Sequence, residues 1–296
     1  MRADTDMKTL LCFTLLLAAG SPAGAAQYTD IEYGRAGGES LRLDAAIPDG
    51  PGPFAAVILV HGGGWTGGDK SGGPKKAYIA PLHGPLQQAG LAWFSINYRL
   101  APKHPYPACL DDVLTAVRWV KAHAAEYRID PDRLGLAGES AGGHLVALAA
   151  IRADTGARVA AVIPIYGRFD LTDQFQPGAV LRGNTAALLG RAVLDETAHA
   201  LAREASPLLH VKAGLPPFLL VHGSADTTVP YDQSVQLQTK LRAQGVPCDF
   251  LTITGGIHGM VTWDKVAPTY KQDIVAWIAR TLQVEPAGRG RTAPIP

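Results

Sequence analysis

The run Ala55-Ala56-Val57-Ile58-Leu59-Val60 is apolar at every position. A strand with one face in water alternates apolar and polar residues, so an unbroken run of this length reads as a strand covered on both faces. The pattern recurs along the chain. Leu91–Asn97, Leu134–Ala137, Val159–Ile165, Pro217–Val221 and Asp249–Ile253 read as further strands, after two earlier ones near Ile31–Tyr33 and Leu41–Ile47. Stretches of helical spacing separate them: Ala77–Gln88, residues 110–120, the segment after Ser140 with Leu145, Leu148 and Ala149, residues 232–244 and Tyr270–Leu282. Asp111 and Asp112 fall in the first turn of the second of these, where a helix favours negative charge. Strands alternating with helices predict the α/β class, with a mostly parallel central sheet and helices on both faces. Residues 167–210 break the rhythm with Pro, Gln, Asp and short apolar pieces. They read as a small cap insertion over the carboxyl ends of the strands, where open α/β sheets place their sites.

Composition sets limits on this reading. The chain has 296 residues, 47% hydrophobic and 18% charged, which suits one large core. Lys and Arg number 27 against 26 Asp and Glu, for a net charge of +1, so no basic footprint for nucleic acid is present. From Met7 the sequence runs MKTLLCFTLLLAAGSPAGAAQ: a lysine, an apolar stretch from Leu10 to Ala19, then Ala23-Gly24-Ala25. That is the layout of a secretory signal with an A-x-A-like cleavage site. The apolar stretch is shorter than the roughly 20 residues of a membrane span. Residues 1–25 are therefore expected to be a signal peptide, and the protein secreted or periplasmic with no stable membrane anchor. Met7 is an alternative start, because Asp4 and Asp6 fit poorly in a positive leading segment. Residues 26–284 are expected to form the folded domain, and 285–296 a disordered tail. Cys12 falls in the signal, and Cys109 and Cys248 are expected to be buried thiols, although an oxidising compartment permits a disulfide.

Three loops each follow a buried strand and carry a reactive residue: Ser140, Asp226 and His258. Ser140 lies in Gly138-Glu139-Ser140-Ala141-Gly142, on a sharp strand-to-helix turn. The chain order Ser…Asp…His goes with this G-x-S-x-G nucleophile elbow. A serine hydroxyl is a weak nucleophile, so an imidazole must take its proton and a carboxylate must hold that imidazole in the right tautomer. The small neighbours let the nucleophile stand exposed on a tight turn. An oxyanion formed on attack needs donors. The Ala141 amide is one, and Gly63 and Gly64 of His61-Gly62-Gly63-Gly64-Trp65 supply the others, because glycines let backbone amides approach closely. Asp232 is a lesser candidate acid and is expected to cap the helix after it. His61 is expected to brace its loop, and His144 to pack at the start of its helix. Asp69 breaks the phosphate-loop pattern after Gly63–Gly68, and the scattered histidines show no H-E-x-x-H, so neither a metal nor a cofactor is expected.

The segments His61–Trp65, Asn97-Tyr98-Arg99-Leu100-Ala101-Pro102, Gly138–His144 and His222-Gly223-Ser224-Ala225-Asp226 resemble α/β-hydrolases of the hormone-sensitive-lipase-like group. The similarity is closest to the bacterial feruloyl/acetyl-xylan esterase type, with Gly68-Asp69-Lys70 and Ala205-Ser206-Pro207 also alike, and it covers roughly residues 28–283. It implies an α/β-hydrolase fold with Ser140 as nucleophile, Asp226 as acid and His258 as base, and with Gly63, Gly64 and Ala141 as oxyanion donors. The implied activity is that of a secreted serine carboxylesterase on short-chain or aromatic esters, including acetyl or feruloyl groups on plant polysaccharide. An aryl-formamidase or a peptidase-like hydrolase of the same fold is the alternative. Trp65 and cap residues near Phe169–Phe175 are expected to line the acyl pocket. The expected partner is a small-molecule or polysaccharide-linked ester, and the sequence leaves the oligomeric state open.

Overall fold

A computed structural model of the chain describes residues 25–72, 78–173 and 183–284. Residues 1–24 of the expected leader and the expected tail lie outside the described residues, as do Ala77 and Phe175, while Ala25 opens the first strand. Eight strands form one sheet, ordered β1-β2-β4-β3-β5-β6-β7-β8. They are β1 (Ala25–Ala36), β2 (Glu39–Pro48), β3 (Phe54–Val60), β4 (Ala92–Ile96), β5 (Ile129–Glu139), β6 (Ala161–Ile165), β7 (Phe218–Gly223) and β8 (Cys248–Ile253). From β4 to β8 every neighbouring pair is parallel. The exception is one edge, where β1 and β2 make an antiparallel hairpin and β2 runs antiparallel to β4. Gly37-Gly38 makes the hairpin turn, the dipeptide type favoured there.

The unbroken apolar run in β3 has a direct cause. Ala56, Ile58 and Val60 join a core cluster with residues of α2 (Ala108–Ala122), α3 (Ala141–Arg152) and α6 (Asp232–Ala243). Ala55, Val57 and Leu59 join a second cluster on the opposite face, with α1 (His83–Gln88) and α7 (Tyr270–Thr281). Successive side chains of a strand point to opposite faces, so a strand between two helix layers must be apolar throughout. Each fully buried Val, Leu or Ile contributes roughly 1.5–3 kcal/mol.

Between β6 and β7 lie two short helices, α4 (Gly183–Leu189) and α5 (Glu196–Glu204). Asp195 caps α5, its carboxylate accepting the Ala198 amide at 2.7 Å. Leu188, Leu189, Ala198 and Ala202 pack into the main core, so the described residues of this insertion share the core of the sheet. Among the described residues no helix is long and apolar enough to cross a membrane. Cys109 and Cys248 are buried and unpaired, and burial pushes both thiols up to about 12, so they behave as small apolar side chains.

Asp111 and Asp112 do different work, although they adjoin at the start of α2. Asp112 is 1% exposed and ion-pairs with Arg99 at 2.7 Å. It also accepts the Arg99 backbone amide at 2.8 Å, which ties the loop after β4 to α2. Asp111 is exposed. Removing one partner of a buried pair strands the other, at a cost of roughly 3–5 kcal/mol. Asp112→Ala is therefore expected to destabilise the protein by about that much in denaturant unfolding, and Asp111→Ala by about 1 kcal/mol or less.

Candidate active site

The sheet register brings the loops to one edge. Val60 of β3 pairs with Gly138 of β5, and Glu139 pairs with Ile165 of β6. Ile165 pairs with Val221 of β7, and Gly223 with Ile253 of β8. The loops that follow these strands therefore leave the sheet side by side.

Ser140 joins β5 to α3 with φ 53 and ψ −117, a conformation L residues rarely hold. Its amide donates to the Ile165 carbonyl at 2.9 Å, and its carbonyl accepts the His144 amide at 3.0 Å. The small residues around it are sterically required. A Cβ on Gly142 would lie 2.7 Å from the His61 carbonyl oxygen, and one on Gly143 would lie 2.6 Å from that of Ile165. α3 thus starts in a notch between the ends of β3 and β6.

His258 joins the two other groups. Its Nε2 lies 3.0 Å from the Ser140 hydroxyl, and its Nδ1 lies 2.6 Å from Asp226 Oδ2. With Nδ1–H donating to the carboxylate, Nε2 is left to accept the serine proton. The other carboxylate oxygen of Asp226 accepts the amides of Thr228 and Val229 at 2.8 and 2.9 Å. His222 approaches Asp226 from behind, with Nε2 at 3.3 Å. That ring is fully buried, and its Nδ1 lies 2.7 Å from the Ser234 hydroxyl. Burial alone would raise the Asp226 carboxyl. The donors from His222, His258 and Val229 outweigh it and hold the group well below the usual carboxylate range.

The loop after β3 is held from several sides. His61 stacks on Tyr98 with centroids 4.4 Å apart, its Nδ1 lies 2.8 Å from the Gly62 carbonyl, and the Tyr98 hydroxyl donates to the His61 carbonyl at 3.1 Å. His61 thus braces its loop, and burial lowers it to about 4, so it stays neutral. The Gly62 amide donates to the buried Glu139 carboxylate. The Gly63 carbonyl accepts the Thr66 and Gly67 amides at 3.2 and 3.1 Å, closing a turn. Among the described residues no hydrogen bond occupies the amides of Gly63, Gly64 or Ala141.

Ser140 opens into a cavity of about 200 Å³, with Ala141 at its base and Gly64 and Trp65 along one wall. Arg168, Asn184 and Thr185 line it from the segment between β6 and β7, and Thr228 and Val229 from the loop after β7. Trp65 thus lines the cavity beside Ser140. Its Nε1 donates to His144 Nδ1 at 3.1 Å, and His144 Nε2 donates to the Ala205 carbonyl at 2.7 Å. Burial lowers His144 to about 4, which keeps it neutral in this relay. A larger cavity, about 560 Å³, lies beside the β1–β2 hairpin and the Asn97–His104 loop and contains none of the three triad residues.

Two expectations need correction. Phe169 does not line the pocket: it is fully buried in the main core, and its amide is fixed by Gln233 Oε1 at 2.7 Å. The neighbouring Arg168 faces the cavity instead. Asp232 does not cap α6. Tyr231 holds the cap position, and the Asp232 carboxylate accepts from Gln236 one turn along. Glu139, His222 and Arg168 are site residues that the sequence reading did not assign. For Glu139 the available signal was a charged residue in an otherwise apolar strand end. Among the described residues no group of three His, Cys, Asp or Glu is placed to hold a metal ion.

Residues 43–241 match the BD-FAE family model. LipM of Mycobacterium tuberculosis, described as a probable carboxylic ester hydrolase, is 36% identical over 71% of this chain and 50% of its own length. The carboxylesterase NlhH of the same species is 32% identical over 72% of this chain and 68% of its own. A truncated carbohydrate esterase from gut microbiota superposes with a TM-score of 0.76 at 27% identity, covering 89% of this chain and 99% of that one. The chain thus spans about half the length of LipM and nearly all of the carbohydrate esterase. Sheet order, elbow and family match agree: this chain belongs to the BD-FAE family and has the α/β-hydrolase fold.

Proposed function

We propose that the protein is a serine carboxylesterase acting on short-chain or aromatic esters, with ester groups on carbohydrate as its natural targets. The observation that carries this reading is the continuous chain from Ser140 through His258 to Asp226, at 3.0 and 2.6 Å. Ser140 Oγ attacks the ester carbonyl while His258 Nε2 takes its proton. Asp226 keeps the imidazole in the accepting tautomer and stabilises the imidazolium. The carbonyl oxygen, now an oxyanion, is held by the amides of Gly63, Gly64 and Ala141. The imidazolium returns its proton to the leaving alcohol, leaving an acyl group on Ser140. Water, activated by the same imidazole, then releases the acid. Carboxylic ester hydrolases among the relatives support the reaction class, and the carbohydrate esterase supports the substrate class. The segment from Met7 to Ala25 supports export, which N-terminal sequencing of exported protein tests.

Activity on p-nitrophenyl esters, acetylated xylan and methyl ferulate is the direct test, and a purified protein inert on all of them overturns the proposal. Ser140→Ala is expected to remove several orders of magnitude, on the scale of the ~10⁶ seen when another serine hydrolase loses its nucleophile. Asp226→Asn should cost on the order of 10⁴ in kcat, because an amide donor facing Nδ1 favours the wrong tautomer. The small, half-polar cavity predicts a second trend. Turnover should be highest for acetyl and propionyl esters and fall steeply for decanoyl ones, read as kcat/KM across the p-nitrophenyl series.

A further inference from the structure

Glu139 precedes the nucleophile, is 3% exposed, and no step of the proposed reaction uses it. A buried carboxylate persists only where something specific holds it. Three loops converge on this one. From the loop after β3, the Gly62 amide donates to it, one residue before the Gly63 and Gly64 amides. From the end of β6, the Tyr166 hydroxyl lies near enough to favour its ionised form. That same hydroxyl accepts the Met260 amide at 3.2 Å, two residues after His258. The Tyr166 ring also lies edge-on to the His258 imidazole, with centroids 4.6 Å apart. The charged and titratable groups acting on Glu139 are His258 and Tyr166, with Tyr98 feeling its charge from the loop after β4. Among the described residues no lysine or arginine is near enough to contribute.

We propose that Glu139 is a positioning residue whose ionised carboxylate sets the Gly63–Gly64 amides against Ser140 and adds a second negative charge behind the imidazolium of His258. Its carboxylate reaches both halves of the site at once. The Gly62 bond fixes where the oxyanion donors stand, and the Tyr166–Met260 link fixes the loop that carries the base. Asp226 serves the imidazolium by direct contact, whereas Glu139 acts across the interior, where charges are weakly screened. This inference rests on the serine esterase reading of the same site.

A consequence follows for pH. Burial pushes the Glu139 carboxyl up to about 7, against the Gly62 amide, the charge of His258 and the Tyr166 hydroxyl, which all favour its ionised form. The working enzyme then needs Glu139 ionised. Below neutrality wild type should lose kcat/KM through this ionisation, and a variant without the carboxyl should lack it.

The test is a pH profile of kcat/KM for p-nitrophenyl acetate with wild type, Glu139→Gln, Tyr166→Phe and Ser140→Ala. Glutamine keeps an acceptor for Gly62 but no charge. Glu139→Gln is expected to lose about 10- to 100-fold in kcat, less than the loss of an oxyanion donor itself, with KM little changed and an acid limb that lacks the Glu139 ionisation. A Glu139→Gln enzyme with wild-type kcat, or with an acid limb identical to that of wild type, overturns the inference. Circular dichroism shows whether Glu139→Gln folds. If it does not, Tyr166→Phe decides: losing a hydroxyl that favours the ionised carboxylate should move one acid-limb midpoint upward, and an unchanged profile overturns the inference. Ser140→Ala separates the two levels. If it retains turnover, the esterase reading of this site fails. If it is inert while the other variants match wild type, only the role of Glu139 fails.

Discussion

The site depends on the backbone conformation of Ser140. At φ 53 a residue with a Cβ carries strain, of order 1–3 kcal/mol, and holds that conformation only where its surroundings enforce it. Here β3 and β6 enforce it from either side. Gly142 passes against the ends of β3, at the Val60 and His61 carbonyls, and Gly143 passes against Ile165 and Gly167 at the end of β6. A side chain at either glycine would push α3 out of the notch and relax the elbow. The central parallel strands are thus functional components as well as core. Their carbonyls are the walls that keep one hydroxyl exposed and within 3.0 Å of its base.

Around that hydroxyl the fold places two carboxylates in contrasting environments. Asp226 is met by the amides of Thr228 and Val229 and by the rings of His222 and His258. Donors on every side stabilise its charge more than burial penalises it, which holds the group well below the usual carboxylate range. Glu139 has an amide, a phenol and a more distant imidazole, and burial dominates. The difference lies in the number and closeness of donors, since both groups sit inside the protein. Environments that separate the ionisation of two carboxylates also separate their roles. One is held ionised by its donors, and the other can change charge near neutrality.

Much of this was legible in the sequence, for physical reasons that also mark its limits. Strands between helix layers must be apolar on both faces, so β3, β6 and β7 stood out. Element ends did not, because they follow backbone pairing rather than side-chain pattern. β5 begins at Ile129, well before its apolar run, since Ile129 pairs with Phe54. Ser140, Asp226 and His258, which the structure brings together, stood out because each sits in a short polar loop directly after a buried strand. Glu139 and His222 lay inside the same motifs and went unassigned, because their roles depend on partners far away in the chain: Gly62, Tyr166, and Ser234. Asp112 looked like a helix-terminal charge until Arg99 was seen against it. Phe169 looked like a pocket residue because aromatic composition alone does not say which way a ring points.

The insertion between β6 and β7 adds what the elbow and sheet cannot supply, a wall for the cavity beside Ser140. Asn184 of α4 lies so close over Gly64 that a Cβ there would stand 2.7 Å from the Asn184 Cγ. Gly64 also has φ 62, so that position requires glycine on two separate grounds. The Thr66 hydroxyl donates to the Asn184 side-chain oxygen at 3.3 Å, which ties α4 to the oxyanion loop. The same helix therefore closes the cavity and steadies the loop whose amides face it. A change in α4 that enlarged the cavity would also loosen those donors. On the esterase reading, acyl size and the placing of the oxyanion loop are coupled through that one contact, and a broader substrate range would have to come from outside α4, at residues such as Val229 in the loop after β7.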